Sequence, residues 1–387
     1  MQLIDKEELK TLVENAEGTC ISIFMPMTRE PDKQDENRIR LKNLIKEARD
    51  RLMAQDADLR VPDVQRLLQP AEDLLENGRV WTEHGTGLSV FLAPDFAQTY
   101  SLPLDFEELV IIGKQFHTKP LLPLFSNNNR FYILALSQNE VRLFQATRYT
   151  IDEIELEGLP TSMAEALRYE DPEKQLQHRT SRKVSGATNQ SGAPIFHGHE
   201  VSSEKKGAIR RYFREIDAGL QNLFANENAP LVLAAVAYLM SIYRDANTYP
   251  HLVEEGIPGN PEEVKPEALH QRAWEIVEPI FAQAQAEAAE RYWQLVNTGQ
   301  ASNDVEEIVP AAYYGRVDTM FTSLNNRQWG TFDRETGQVR LYGEPGPDGQ
   351  DLLDVAAVQT FLNGGMVYAV DGDEIPGSGI LAALFRY

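Results

Sequence analysis

The sequence contains one cysteine, Cys20, among 387 residues. A single cysteine cannot form an intramolecular disulfide, and such sparse use is typical of a reducing compartment. No apolar run approaches the roughly 20 residues that a membrane-spanning helix needs. The first residues, MQLIDKEELK, lack the basic and apolar regions of a secretory signal. We therefore expect a cytoplasmic protein with no membrane partner.

The sequence also lacks the motifs of common nucleotide-binding and hydrolase sites. No phosphate loop of the form GxxxxGKS or GxxxxGKT is present, no GxGxxG follows a predicted strand, and there is no GxSxG elbow. These absences argue against the usual nucleotide enzymes and serine hydrolases. No cofactor is expected.

Positive charge is scarce in the chain as a whole. The sequence has 37 Lys and Arg against 59 Asp and Glu, which gives a net charge of −22. An acidic surface repels phosphate, so this composition argues against indiscriminate binding to DNA, RNA or anionic membranes. DNA is not expected as a partner.

Residues 171–205 are the exception to this acidic character. Nine Lys or Arg and two acids lie between Lys174 and Arg214, a net charge of +7 that leaves −29 for the rest of the chain. A segment of roughly 30 residues without apolar periodicity is uncommon in a compact domain and is usually functional or disordered. We interpret it as an exposed working loop that docks selectively, and a solvated charge cluster is the alternative.

The length of the chain predicts more than one hydrophobic core. Predicted strands alternate with predicted helices, which favours an α/β fold. Two proline-containing polar stretches, near residues 120–130 and 256–266, mark candidate boundaries. We therefore expect three α/β domains, at residues 1–125, 126–255 and 262–387.

The second of these domains surrounds the basic loop. Two apolar runs, 131–137 and 141–147, predict a hairpin, and 150–156 predicts a third strand. After the loop, a helix is predicted from Ser202 or Ser203 to about Phe224. Its apolar residues define one buried face, and its arginines 210, 211 and 214 project away from that face.

The third predicted domain begins with a long amphipathic helix, residues 267–296. Trp274 and Trp293 fall within its helical pattern and are predicted to be core residues. Further along, Asp351 is placed to cap a helix that ends near Gly364. The chain then runs through GGMVYAV and an acidic turn into GSGILAALFRY.

This ending resembles the C-terminal domain of archaeal and eukaryotic class-1 peptide-chain release factors and of Pelota. The resemblance lies in a strand, a glycine-rich turn and an apolar strand ending in Arg386 and Tyr387. The order of elements over residues 130–239 resembles the central domain of that family. The segments CISIF, RIRLKNLIKEAR, GLSVFLAP and FEELVIIGKQFHTKPLLPLF are similar to its bacterial branch.

The resemblance implies a central RNase H-like unit and a C-terminal ribosomal-protein-like α/β/α sandwich. It also implies a ribosome-associated translation factor that meets ribosomal RNA and tRNA. A translational GTPase is left open as a second partner, and oligomeric state is not indicated.

One departure from the family limits what can be carried over. The release factors bear Gly-Gly-Gln in the central loop, where it places a water against the peptidyl-tRNA ester, and this sequence has no Gly-Gly-Gln. The most similar segment is GATNQSG, in which Gln190 is the candidate residue for ordering a water. Because release demands accurate placement of that water, the altered loop favours rescue, occlusion or hibernation of ribosomes over stop-codon termination.

The remaining candidate residues are distinguished by their chemistry. His178, His197 and His199 are candidate ligands for a zinc site, although no cysteine lies nearby. His197 and His199 are better suited to stacking on RNA bases. Asp152, Glu153 and Glu155 are the acids that a metal-dependent RNase H-like nuclease or hydrolase would need, but they also fit the wet face of a strand.

The sequence thus predicts an RNA-binding loop on an acidic protein. A non-catalytic oligomeric scaffold, associating through the apolar C-terminal strand, is a further alternative. The predicted RNA-binding residues are Arg179, Arg182, Lys183, His197, His199, Lys205, Lys206, Arg210 and Arg211.

Overall fold

The protein is described by a computed structural model. The residues that the structure describes are 4–14, 18–28, 30, 34–55, 60–76, 80–82, 85–125, 130–156, 158–160, 162–165, 203–225, 227–344, 346, 349–377 and 379–387. Contacts between these residues divide the chain into two compact units. The first comprises residues 1–128 and 283–387, and the second comprises residues 129–282. The division into three domains stays a prediction.

Helices and strands are interspersed along the chain, as expected for an α/β fold. The α-helices are α1 (Lys6–Glu14), α2 (Gln34–Gln55), α3 (Val61–Glu76), α4 (Ser203–Phe224), α5 (Ala237–Ala246), α6 (Pro266–Leu295), α7 (Val305–Tyr313) and α8 (Leu352–Leu362). A short 3-10 turn spans Lys119–Leu124.

The N-terminal part of the first unit is built on an antiparallel sheet with the strand order β3-β2-β1-β4. Its strands are β1 (Cys20–Pro26), β2 (Gly87–Ala93), β3 (Phe96–Leu102) and β4 (Leu109–Gly113). Ile21, Ile23 and Met25 point to one face of β1, where α2 and α3 cover them. Phe24 lies on the opposite face and contacts Phe91 and Phe106 edge to face.

The C-terminal part of the first unit is an α/β/α sandwich, as predicted. Its sheet has the order β10-β16-β11-β15, with β10 (Ala301–Ser302), β11 (Val317–Ser323), β15 (Met366–Val370) and β16 (Leu381–Phe385). Met320 on β11 faces α7 and α8, whereas Phe321 faces Tyr292 at the end of α6. A second small sheet contains β12 (Trp329–Phe332), β13 (Val339–Leu341) and β14 (Gln350–Asp351).

The second unit has the RNase H-like arrangement that the sequence predicts. Its sheet order is β7-β6-β5-β8-β9, with β5 (Phe131–Leu136), β6 (Val141–Ala146), β7 (Ile151–Ile154), β8 (Leu231–Ala235) and β9 (Ile257–Pro258). The strands β5, β6 and β7 form an antiparallel meander, and β8 pairs in parallel with β5.

Every residue of β5 is buried because helices cover both faces of this sheet. Tyr132, Leu134 and Leu136 pack against α4 and α5. Phe131 and Ile133 face α6, on the other side. The apolar run 131–137 is therefore explained by burial on two faces.

Two interpretations of the sequence are corrected by the structure. Trp293 is 59% exposed and is not a core residue, whereas Trp274 is partly buried against Phe131. The C-terminal strand β16 is hydrogen-bonded on both edges, to β10 and β11, so the part of β16 paired on both sides is not a free edge for self-association. In the described part of the chain, no helix is long and apolar enough to cross a bilayer.

Candidate nucleic-acid interface

The first half of α4 has a cationic outer face. Its inner face is formed by apolar residues at steps of three and four, including Ile209, Phe213 and Ile216, which pack into the core of the second unit. The exposed side carries Lys206, Arg210, Arg211 and Arg214, together with one exposed acid, Glu215. The prediction of a two-faced helix is confirmed, and contact of these side chains with RNA stays a prediction.

The start of α4 lies at the edge of the sheet where β5 ends. The helix leads into β8, which runs parallel to β5, so α4 returns antiparallel to both strands. At the same edge, the Met163 amide donates to the Gln138 carbonyl over 2.9 Å. The described residues on either side of 166–202 therefore lie at this edge of the sheet.

One basic side chain of α4 is paired with an acid of the neighbouring helix. Arg210 forms an ion pair with Asp245 of α5 over 3.2 Å, with side chains 51% and 61% exposed. An exposed pair of this kind contributes about 0–1 kcal/mol, so it competes weakly with a phosphate ligand. Arg210 is thus partly neutralised in the free protein.

One acid of α4 is turned away from the cationic face. Asp217 is buried, and its carboxylate accepts from the Thr248 amide over 3.0 Å and from the Thr248 hydroxyl over 2.7 Å. These bonds fix α4 to the segment that follows α5. Because Asp217 is occupied inside the unit, it does not offset the positive charge on the outer face.

A polar cluster at the ends of β5 and β8 was missed by reasoning from the sequence. The Gln138 side chain donates to the Tyr238 hydroxyl on α5, and the Asn139 side chain donates to Glu262 over 3.0 Å. Hydrogen bonds from Ser137 and Asn139 hold the pKa of Glu262 below its ordinary value. Tyr238 is 39% exposed at this edge and offers a ring on which a base can stack.

No pattern in the sequence indicates Tyr238 as part of the site. Its ring lies in the apolar run 230–239, which predicts a buried segment, and only the pairing of β5 with β8 brings it to Gln138. The carboxyl ends of parallel strands in an α/β sheet are a common place for ligands.

Most of the predicted loop residues lie outside the described part of the chain. Lys205 belongs to α4, but its side chain also lies outside the description. Lys206, Arg210 and Arg211 are brought together on α4. The residues outside the described ranges are His178, Arg179, Arg182, Lys183, Gln190, His197 and His199.

The acids considered for a nuclease site do not converge in the structure. Glu153 makes two bonds to the Arg142 guanidinium, of 2.9 and 2.8 Å, across the β6–β7 pair. Hydrogen bonding to Arg142 lowers the pKa of Glu153. Asp152 and Glu155 are exposed. Within the described ranges, no three His, Cys, Asp or Glu side chains are grouped to hold a metal ion.

These elements of the interface fall inside one family match. Residues 130–316 match bacterial archaeo-eukaryotic release factor family 3. This match confirms the resemblance stated from the sequence, over the segment that runs from β5 to the end of α7. The similarity to this family therefore covers residues 130–316, which include α4.

Comparison with solved structures returns release factors and Pelota proteins. The archaeal translation termination factor aRF1 is 14% identical, with 100% of this chain and 99% of that one covered and a TM-score of 0.26. Archaeoglobus fulgidus Pelota is 14% identical over 78% of this chain and 79% of its own, with a TM-score of 0.29. S. cerevisiae Dom34 is 12% identical over 78% and 73%, with a TM-score of 0.34.

Scores and identities at this level carry no conclusion about function. No curated protein matches the chain significantly. Any assignment of function therefore depends on the family match together with the residues of the second unit.

Proposed function

We propose that this protein is a cytoplasmic, ribosome-associated translation factor that contacts ribosomal RNA or tRNA through residues 171–214. The observation that supports this most directly is the exposed cationic face at the start of α4, on a chain whose net charge is −22. Repulsion by the acidic body and attraction by this face would restrict RNA to one side of the second unit.

The position of the cationic face would let one RNA strand contact it through phosphates and stack a base on a nearby ring. Lys206, Arg211 and Arg214 supply charge, and Tyr238 supplies an exposed ring at the same sheet edge. Cationic grooves with an adjacent aromatic ring are the common means of holding single-stranded nucleic acid. We therefore propose unpaired RNA, such as an rRNA loop or the tRNA end, as the ligand.

The proposed role is rescue, occlusion or hibernation of ribosomes rather than termination. Binding requires only complementary charge and shape, whereas hydrolysis of the peptidyl-tRNA ester requires a water held in a near-attack position. The sequence lacks Gly-Gly-Gln, and Gln190 is the weak candidate for that task. A translational GTPase is proposed as a second partner on the family resemblance alone.

Pelleting with ribosomes through a sucrose cushion tests the interface. The informative variant combines Lys206→Ala, Arg211→Ala and Arg214→Ala, since these positions lie on α4 and the change removes three positive charges. We expect ribosome binding to weaken and its dependence on log salt concentration to flatten, by about 0.7–0.9 in slope for each phosphate that is no longer neutralised.

A matched control removes the same charge elsewhere. Arg38, Lys42 and Lys46 are exposed on α2, and their joint replacement by alanine changes the net charge equally. We expect this control to pellet like the unmodified protein. Equal retention of the α4 variant, or equal loss in both variants, would contradict a specific interface on α4.

A further inference from the structure

The first unit contains a cavity of about 110 Å³ that the proposed RNA interface does not use. Phe24, Leu104 and Phe106 line it from the N-terminal sheet and the loop after β3. Leu324 and Arg327 line it from the loop after β11. A cavity of about 150 Å³ with apolar walls binds benzene in a well-studied engineered protein, so this space is of the size of one small ring or branched chain.

Arg327 is the unusual member of this lining. Its Nε atom is buried, and no described residue accepts a hydrogen bond from it. Nor does any carboxylate of the described residues form an ion pair with its guanidinium. A buried donor without a partner is costly, so the described residues leave the guanidinium of Arg327 incompletely satisfied.

Two buried acids of the first unit already have partners. Asp351 is paired with Lys119 over 2.8 Å, and its Oδ1 accepts from the amides of Gln328 and Leu353. Asp354 accepts from the Thr118 amide over 2.9 Å. Neither of these two acids forms an ion pair with Arg327.

We propose that this cavity binds a small organic monoanion, with an apolar body against Phe24, Leu104 and Phe106 and a carboxylate on Arg327. A guanidinium holds a carboxylate through two parallel hydrogen bonds. Asp105 and Glu107 are exposed at the cavity lining, and their repulsion increases with the charge of the ligand, so it disfavours phosphate esters more than a monoanion. An apolar pocket with a few placed polar groups is the usual form of a small-molecule site.

The ligand class can be tested on the unmodified protein with three probes that share a benzene ring. Benzoate carries the carboxylate, benzamide has the same ring without charge, and phenyl phosphate carries a larger charge. We expect saturable binding of benzoate by ligand-observed NMR, with binding of benzamide and phenyl phosphate weaker by about tenfold or more. Equal binding of benzoate and benzamide, or no binding of benzoate, would overturn the proposal.

A variant then assigns the binding to this cavity. Arg327→Gln removes the charge, and we expect it to weaken benzoate binding by about ten- to a hundredfold while leaving benzamide binding unchanged. Arg272→Gln is the control, because Arg272 is exposed in the other unit. Undiminished benzoate binding by a folded Arg327→Gln protein would show that Arg327 is not the anchor. Ribosome pelleting is independent of either result.

Discussion

The Lys119 ammonium lies 2.8 Å from Asp351 Oδ2, and both side chains are almost completely buried. Lys119 belongs to the 3-10 turn Lys119–Leu124, and Asp351 directly precedes α8. The pair therefore joins the N-terminal part of the first unit to its C-terminal part. Asp351 also caps α8, because its Oδ1 accepts from the Leu353 amide over 3.1 Å.

Breaking this pair from one side is expected to be strongly destabilising. Lys119→Met removes the cation and leaves the buried Asp351 carboxylate uncompensated, which costs about 3–5 kcal/mol in comparable cases. Urea unfolding followed by fluorescence measures the change. Lys42→Met, at an exposed position of α2, is the control and should change stability by less than about 0.5 kcal/mol.

The double variant Lys119→Met with Asp351→Asn separates the ion pair from packing. It removes both charges, so it is expected to be more stable than Lys119→Met alone. A double variant that is less stable than Lys119→Met would contradict the cost assigned to the uncompensated Asp351 carboxylate.

Asp354 predicts a specific pH dependence of stability. Burial, with the negative charge of Asp351 nearby, raises the pKa of Asp354 from 3.8 to about 7. Between these values the folded protein keeps a proton that the unfolded chain releases. The stability associated with this group is therefore present below about pH 4 and is lost as the pH rises towards 7.

Replacement of Asp354 by asparagine should remove this effect. The amide oxygen can still accept from Thr118, so the bond at this position is retained. Relative to the unmodified protein, Asp354→Asn is expected to gain about 1.4 kcal/mol per pH unit between roughly pH 4 and 7. Unfolding free energies at pH 4.5, 5.5 and 6.5 measure this slope, and parallel profiles of the two proteins would contradict it.

A second buried group acts in the opposite direction but cancels in this comparison. Burial lowers the pKa of His117 from 6.5 to about 3, so the unfolded chain gains a proton that folded His117 does not take. That effect decreases stability as the pH falls from 6.5 to 3. Both proteins contain His117, so we expect the difference between them to report mainly on Asp354.

Replacement of Gly377 by a residue with a side chain is expected to destabilise the protein. Its φ of +88° favours glycine, and a Cβ would lie 2.8 Å from the Tyr292 hydroxyl. Gly364 has a φ of +76° with nothing within 4 Å of such a Cβ, so it is a matched control for backbone strain alone. We expect Gly364→Ala to cost about 1 kcal/mol and Gly377→Ala to cost more. Equal thermal midpoints for the two variants would contradict the contact with Tyr292.

Asp245 is predicted to restrain the proposed RNA interface. Its pairing with Arg210 competes with phosphate, so Asp245→Asn should increase retention on ribosomes at moderate salt. Asp152→Asn, at an exposed position of β7, removes one negative charge at another place and controls for net charge. Equal gains in retention by both variants would indicate that retention depends on net charge and not on the release of Arg210 from its ion pair with Asp245.

The sequence determined the elements whose physics is local. Apolar residues at steps of three and four defined the buried face of α4, since they can contact the core only as one side of a helix. The apolar runs of β5 and β6 predicted their hairpin. Asp351 was predicted as a helix cap, and the hydrogen bond that it accepts from the Leu353 amide spans only two residues. The ending of the chain and the order of elements in residues 130–239 indicated the family.

Only the tertiary structure decided which distant residues meet. Thr118 and Asp354 are 236 positions apart, and no spacing rule relates them, so the buried charges and the cavity beside Arg327 were invisible in the sequence. Trp293 has the helical spacing of a core residue, yet it is exposed, because the face that a helix buries depends on the sheet that packs against it. Residue spacing fixes the faces of an element, and the packing of elements fixes what each face contacts.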